Sequence, residues 1–208
     1  MNDRLPDILT GLLGEQSLRS AVGTRFEPSP PLGRHYDRFP LDARQAAVLL
    51  TLYPHRGQWY VPLTVRHARL PDHAGQISLP GGAIEPDESS AAAAIREFRE
   101  ELGAWAVHVR ILGRLAPVYV DVSNFRIEPF VALLSGRPEW APNADEVEEL
   151  LEVPLGHLVL PESFGTQTRQ WRGQSYSAPH FAWHSHRIWG ATCMILGQLV
   201  LLLDGVEV

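Results

Sequence analysis

The stretch Gly82–Ala104, GAIEPDESSAAAAIREFREELGA, decides how the rest of the chain is read. On a helix, residues three and four apart share a face, so Glu97, Glu100 and Glu101 project together, with Arg96 beside them. Carboxylates so crowded repel one another unless positive charge lies between them. Ala91, Ala94, Ile95, Phe98 and Leu102 form an apolar stripe on another side of the same helix. One flank is suited to burial and another to a cation, which makes a candidate metal site on a rigid support. Pro86 and Asp87 mark the helix start, where Asp87, Ser89 or Ser90 can cap it, and Gly103 is placed to end it.

Upstream, Ile77–Leu79 reads as a brief strand running into Pro80-Gly81-Gly82, where paired glycines let the main chain approach a ligand closely. Residues 66–76, RHARLPDHAGQ, read as a loop rich in basic and imidazole groups. Ala46–Tyr53 is a continuous apolar run, the pattern of a buried strand. Trp59–Val65 reads as a second strand across a turn at 55–58, and Pro62 requires it to have a free edge or a bulge. Residues 4–13 fit a short amphipathic helix, and the Pro-rich stretch 27–41 reads as an extended connection.

Downstream, Val107–Leu115 and Phe125–Leu134 read as strands separated by a loop at 121–124. Residues 143–149, NADEVEE, read as an acidic loop leading into a strand at Leu150–Val153. Residues 169–171 and 175–177 flank a hairpin turn, and Trp189–Leu203 reads as a closing helix. Strands and few helices, without a regular βαβ alternation, predict an α+β class of α/β protein: a mixed sheet flanked by helices. The domain is expected to span 44–208. Residues 1–43 form an extension whose Leu5, Ile8, Leu9 and Leu12 pack on the domain or on a second subunit, as in a homodimer.

The 24 acidic against 18 basic residues leave a formal charge of −6, which disfavours a nucleic-acid partner. The single cysteine, Cys193, excludes an intrachain disulfide and fits a reducing compartment. The N-terminus lacks the layout of a signal peptide, and the apolar run Gly190–Leu203 is too short to span a bilayer. A cytoplasmic location away from membranes is therefore expected.

The central segment resembles the Nudix box, the signature of the Nudix hydrolases. Gly82, Glu88, Arg96-Glu97, Phe98, Glu100-Glu101, Gly103 and Ala104 fill its positions with every spacing matched, and only Ala104 is smaller than usual. The resemblance implies a mixed sheet sandwiched between helices and metal-dependent cleavage of a nucleoside diphosphate linked to another moiety. Residues 63–82, LTVRHARLPDHAGQISLPGG, look like the motif that precedes the box in the coenzyme A pyrophosphatases. There Leu63, Thr64, Arg66, Gly75, Pro80, Gly81 and Gly82 match. His67, Pro71 and Leu79 depart from it, standing where a small residue, an arginine and a phenylalanine are expected; Arg69 could serve for the missing arginine. Ile188–Cys193 is similar to a further stretch of that subfamily, with Cys193 in place of alanine.

Hard cations such as Mg²⁺ or Mn²⁺ take carboxylate oxygens and bridge phosphates, so Glu97, Glu100 and Glu101 are the natural ligands, with Glu88 an outer candidate. The plain alternative is a solvated acidic face paired with Arg96 and Arg99. Arg96 stays protonated, so its expected role is to hold a carboxylate such as Glu88 in place. The general base is either a box glutamate such as Glu100 or Glu146 in the acidic loop, where Asp145, Glu148 and Glu149 are equal by composition. Arg66, Arg69, His73, Gln76, Gly81 and Gly82 are candidates to meet the substrate, although His73 also reads as a plain surface residue. His180, His184 and His186 lack the helical spacing of a zinc site, and Pro179 argues against a helix there. The expected activity is hydrolysis of coenzyme A or a derivative to 3′,5′-ADP and a 4′-phosphopantetheine species. The alternatives are another diphosphate (ADP-ribose, a dinucleoside polyphosphate, a nucleotide sugar) or a non-catalytic nucleotide sensor.

Overall fold

The central strand β1 (Arg44–His55) is apolar along its length because both of its faces are buried. Ala47, Leu49 and Tyr53 enter one apolar cluster, and Val48, Leu50 and Leu52 enter another on the opposite face. The computed structural model describes residues 2–14, 24–30, 39–70 and 73–208.

Along one edge of β1, β7 (Phe125–Leu134) runs parallel, with Ala46 opposite Ile127 and Leu52 opposite Leu133. The other edge is shared. β2 (Gln58–Arg66) pairs with β1 only across Tyr53–His55 and then diverges. β4 (Gly81–Ala83) takes the vacated edge beside Ala46–Val48. The sheet therefore forks, and β2 continues against β3 (Ile77–Ser78) and β8 (Val147–Pro154). Pro62 stands in the gap between the residues paired with β1 and those paired with β3, while facing Glu152 of β8 on its other side. The edge is thus free on one side only, and a bulge follows at Val65/Arg66. β5 (Val109–Arg114) and β6 (Val118–Val120) lie antiparallel to β7 and complete a mixed sheet.

α2 (Ser90–Leu102) covers one face through Ala93, Ala94, Phe98 and Leu102. α1 (Leu5–Gly14) and α4 (Gly190–Leu202) cover the other. The sheet is sandwiched between helices, as the sequence leads one to expect. Leu5 and Leu9 of α1 are fully buried within this same core, each contributing about 2 kcal/mol by removal from water. α4 is apolar nearly all round and lies inside the core, where Gln198 satisfies both backbone groups of Ala116. A short α3 (Leu155–Leu158) follows β8. The hairpin expected around 172–174 has longer arms, β9 (Phe164–Trp171) and β10 (Gln174–Trp183), and β11 (His186–Trp189) makes it a three-stranded sheet.

Two features matter for function. The glycine pair at 81–82 forms part of a strand, β4. The acidic loop is shorter than it reads, since β8 begins at Val147 and places Glu148 and Glu149 on the strand. In the Pro-rich stretch, Ser29 bridges Ser177 of β10; residues 31–38 lie outside the described residues.

Candidate active site

α2 is fixed at both ends by its own sequence. The Ser89 hydroxyl accepts the Ala92 N–H at 3.2 Å, a cap that stabilises by about 1 kcal/mol. Gly103 adopts the left-handed conformation (φ 65°) and donates its N–H to the Arg99 carbonyl. The buried stripe is rotated slightly from its expected position. Ala93 is fully buried, Ala91 and Ile95 are only half-buried, and Glu101 is carried into the interior with 3% of its surface exposed.

Arg96 is the cation among the carboxylates. Its Nε and Nη2 donate to the two oxygens of Glu88 at 3.2 and 2.8 Å. Nη1 donates to Glu97 Oε1 at 2.8 Å and to Glu100 Oε2 at 3.0 Å. Nη2 also reaches the Ala83 carbonyl of β4 at 3.2 Å, tying helix to sheet. The Arg96 guanidinium holds the Glu88 carboxyl below its ordinary pKa, helped by the Glu85 N–H. Both Glu88 oxygens accept hydrogen bonds from Arg96, and Oε1 also accepts the Glu85 N–H at 2.8 Å.

Glu97 lies against Gly82: a Cβ there would stand 2.5 Å from Glu97 Cδ and 2.7 Å from its Oε2. Burial raises the pKa of Glu97 against the opposing pull of Arg96, and the charges of Glu100 and Glu146 add to the rise. Burial likewise pushes Glu101 up to about 8; the Arg66 guanidinium opposes this, and the charges of Glu97 and Glu146 reinforce it. Glu101 Oε2 is buried without a hydrogen-bond partner. Among the described residues, no three His, Cys, Asp or Glu groups converge at ligating distance. Arg96 Nη1 is shared between Glu97 Oε1 and Glu100 Oε2, while Glu101 has no bond to it. The donor set still fits a hard divalent cation. It consists of carboxylate oxygens, one of them buried and unpaired, and a cation would relieve both the repulsion and the desolvation.

The second wall is the segment preceding β8, which is bound to the end of α2. The Ala141 N–H donates to the Leu102 carbonyl at 3.0 Å and the Asn143 N–H to the Glu101 carbonyl at 2.9 Å. Glu146 is thereby brought close enough for its charge to act on both Glu97 and Glu101. The other acidic candidates turn elsewhere. Glu148 accepts the Ala68 N–H at 3.2 Å, Glu149 pairs with His186 at 3.3 Å, and Asp145 is exposed.

The third wall is the loop after β2. Arg66 is half-buried, leaves its Nε unpaired, and acts electrostatically on Glu101. His67 braces the turn: its N–H donates to the Glu146 carbonyl at 2.8 Å and its Nδ1 accepts the Arg69 N–H at 3.0 Å. Arg69 and His73 are exposed, and His73 Nδ1 lies 3.0 Å from Gln76 Oε1. Pro71 lies outside the described residues. His180, His184 and His186 do not converge: His180 is buried on β10, His184 is exposed in the following turn, and His186 on β11 faces Glu149. Asn143 and the bracing role of His67 are not evident from residue type alone. The one available signal for Asn143 is its position at the head of an acidic turn, where asparagine bonds the backbone two residues on.

A forked mixed sheet, with a helix presenting carboxylates over the fork and facing a glutamate-bearing segment, defines a hydrolase of the diphosphate-cleaving kind. The chain belongs to the Nudix family: the NUDIX domain model matches residues 43–175. It is 38% identical over 166 residues to the uncharacterized Nudix hydrolase NudL of Pectobacterium atrosepticum, covering 77% of this chain and 83% of that protein. The NudL of Salmonella paratyphi B is 36% identical over 163 residues, covering 77% of this chain and 83% of that protein. The MutT/nudix family protein from Enterococcus faecalis shares the fold at TM-score 0.51 and 15% identity, over 80% of this chain and 63% of that one. The chain is thus an enzyme, a Nudix hydrolase. Enzymes of this family act on small nucleotide substrates and generally use divalent ions such as Mg²⁺ or Mn²⁺. Among the described residues, no helix is long and apolar enough to cross a membrane.

Proposed function

We propose that this enzyme hydrolyses the pyrophosphate bond of coenzyme A or a close derivative, releasing 3′,5′-ADP and a 4′-phosphopantetheine species. The observation that carries the reaction type is the juxtaposition of Glu97, Glu100 and Glu101 with Glu146 and Arg66 beside the fork of the sheet. The choice of coenzyme A rests on the match of Leu63, Thr64, Arg66, Gly75 and Pro80–Gly82 to the pyrophosphatase motif.

Glu97, Glu100 and Glu101 would hold the Mg²⁺ or Mn²⁺, with Arg96 and Glu88 setting their orientation. When bound, the cation neutralises phosphate oxygens and helps to orient water. Glu146 accepts the proton of the attacking water as its oxygen bonds to one phosphorus. The bridging oxygen departs with the other phosphate, and the two monoesters take up the elements of that water. Arg66 offers charge to the developing phosphate oxygens from a half-buried position, where its attraction is less screened than at the surface. Arg69, His73 and Gln76 stand on the loop that meets the rest of the substrate; Gly81 lets β4 lie close against β1, and Gly82 leaves room for the Glu97 carboxylate beside the diphosphate.

The departures at His67, Pro71 and Leu79 support a second reading, cleavage of another nucleoside diphosphate such as ADP-ribose, a dinucleoside polyphosphate or a nucleotide sugar. A panel of these compounds with Mg²⁺ and with Mn²⁺, resolved by chromatography, separates the two. The first reading expects coenzyme A to give the highest kcat/KM, with 3′,5′-ADP as a product. ADP-ribose cleaved far ahead of coenzyme A would overturn it, and tight binding without turnover would identify a sensor.

A further inference from the structure

Asn143 has every hydrogen-bonding group engaged in holding one short segment. Its N–H donates to the Glu101 carbonyl of α2 at 2.9 Å, and its carbonyl accepts the N–H groups of Glu146 at 3.0 Å and Val147 at 2.8 Å. Its Oδ1 accepts the Asp145 N–H at 3.2 Å, and its Nδ2 donates to Glu146 Oε1 at 3.2 Å. The Asp145 contact fixes which end of the amide is oxygen, because a backbone N–H can only donate; the NH₂ group must then face Glu146. The Glu146 backbone is held from the other side as well, its carbonyl accepting the His67 N–H at 2.8 Å.

We infer that Asn143 is a positioning residue for the reaction, aiming the Glu146 carboxylate at the attacking water through its side-chain amide. The inference rests on the reading of Glu146 as the general base. The main-chain bonds alone would place the Glu146 Cα and leave its side chain free to rotate. The Nδ2 bond removes that freedom by committing Oε1, so that Oε2 is presented to the water. A carboxylate held in one orientation transfers a proton more often per encounter than one sampling several, which affects kcat far more than substrate affinity.

The test is Asn143→Asp, which keeps the oxygen that accepts from Asp145 but replaces the donor to Glu146 by a negatively charged acceptor, with the uncharged Asn143→Ser beside it to separate the lost bond from the added charge; both are expected to behave alike. Asn143→Asp is combined with Glu146→Gln and the double variant, and kcat, KM and thermal midpoints are measured with Mg²⁺. Asn143→Asp is expected to lower kcat by about 10–100-fold, the usual effect of losing such an outer partner. KM should stay within about threefold and the melting midpoint within about 2 °C of wild type. In the Glu146→Gln background the Asn143→Asp change should cost little more, because the group through which it acts is already lost. Wild-type kcat in Asn143→Asp while Glu146→Gln is impaired would overturn the inference alone. Losses that multiply in the double variant would overturn it equally. Wild-type kcat in Glu146→Gln would remove the reading of Glu146 itself, and the inference with it.

Discussion

Gly82→Ala and Gly81→Ala, one residue apart on β4, are predicted to fail in opposite ways. A Cβ on Gly82 would stand 2.5 Å from Glu97 Cδ and 2.7 Å from Oε2, so the new methyl occupies the place of the carboxylate. The obstructing atoms are the far end of a rotatable side chain, which can swing aside at small energetic cost. Stability should therefore change by less than about 1 kcal/mol, a shift of roughly 4 °C or less for a chain of this size. Glu97 cannot swing aside and also keep its place beside Glu100 and Glu101. A displacement of about 1 Å in such a group costs on the order of 100-fold in rate, so kcat should fall by about that factor. At Gly81 the added methyl would instead meet backbone, the Ala47 carbonyl oxygen and Val48 Cα, the latter at 2.6 Å. Backbone cannot rotate away, and overpacking of this kind costs about 1–3 kcal/mol, or roughly 2–12 °C in melting midpoint. The assay pairs thermal melting with initial rates on the diphosphate substrate. Undiminished activity in Gly82→Ala, or a melting loss equal to that of Gly81→Ala, would refute the placement of Glu97 over Gly82.

Two further outcomes follow from the buried carboxyls. Glu101, pushed up to about 8 by burial, keeps its proton in the folded metal-free protein after the unfolded chain has lost it. Its contribution is fully present below about pH 4.3 and is lost as pH rises through about 8. Metal must displace that proton, so Mg²⁺ should raise the melting midpoint more at about pH 9 than at about pH 6, and activity should climb across the same interval; a metal effect independent of pH would contradict this. Elsewhere, burial opposes ionisation of Glu152, yet hydrogen bonds from Arg137, Tyr53 and Trp140 outweigh it and hold the carboxyl at about 2. Stability from this group is present above the unfolded value near about 4.3 and lost as pH falls toward about 2. Tyr53→Phe, which removes the fully buried hydroxyl bonded to Glu152, should cost about 1.5–3 kcal/mol at pH 7 and less below pH 3 by denaturant unfolding.

The carboxylate-bearing helix α2 was legible because its pattern is local. Arg96, Glu97, Glu100 and Glu101 lie within one turn, and helical spacing alone places them together. β1 and β7 were legible for the related reason that burial on both faces leaves little room for polar residues. What the pattern could not convey was non-local. β4 has three residues, and its pairing with β1 exists only because β2 leaves that edge after Tyr60. The burial of Glu101 depends on how the apolar stripe turns toward Ala47 and Phe130, a rotation of about one residue that periodicity does not resolve. Asp145, Glu146, Glu148 and Glu149 are alike in composition. Their distinction arises from the bonds joining Asn143 to Glu101, Ala68 to Glu148, and His186 to Glu149.

Whether the α2 carboxylates hold the divalent cation is tested most directly by Mn²⁺ binding, followed through the electron paramagnetic resonance signal of the free ion. The comparison is between the wild type and Glu101→Gln at pH 8. An amide is neutral and close in shape to the protonated carboxyl that burial favours at this site, so the variant should fold at least as stably as the metal-free enzyme. Mn²⁺ affinity is predicted to fall by about 10-fold or more and turnover by orders of magnitude. Equal Mn²⁺ binding in a folded Glu101→Gln protein would contradict the assignment of these carboxylates as the metal's ligands.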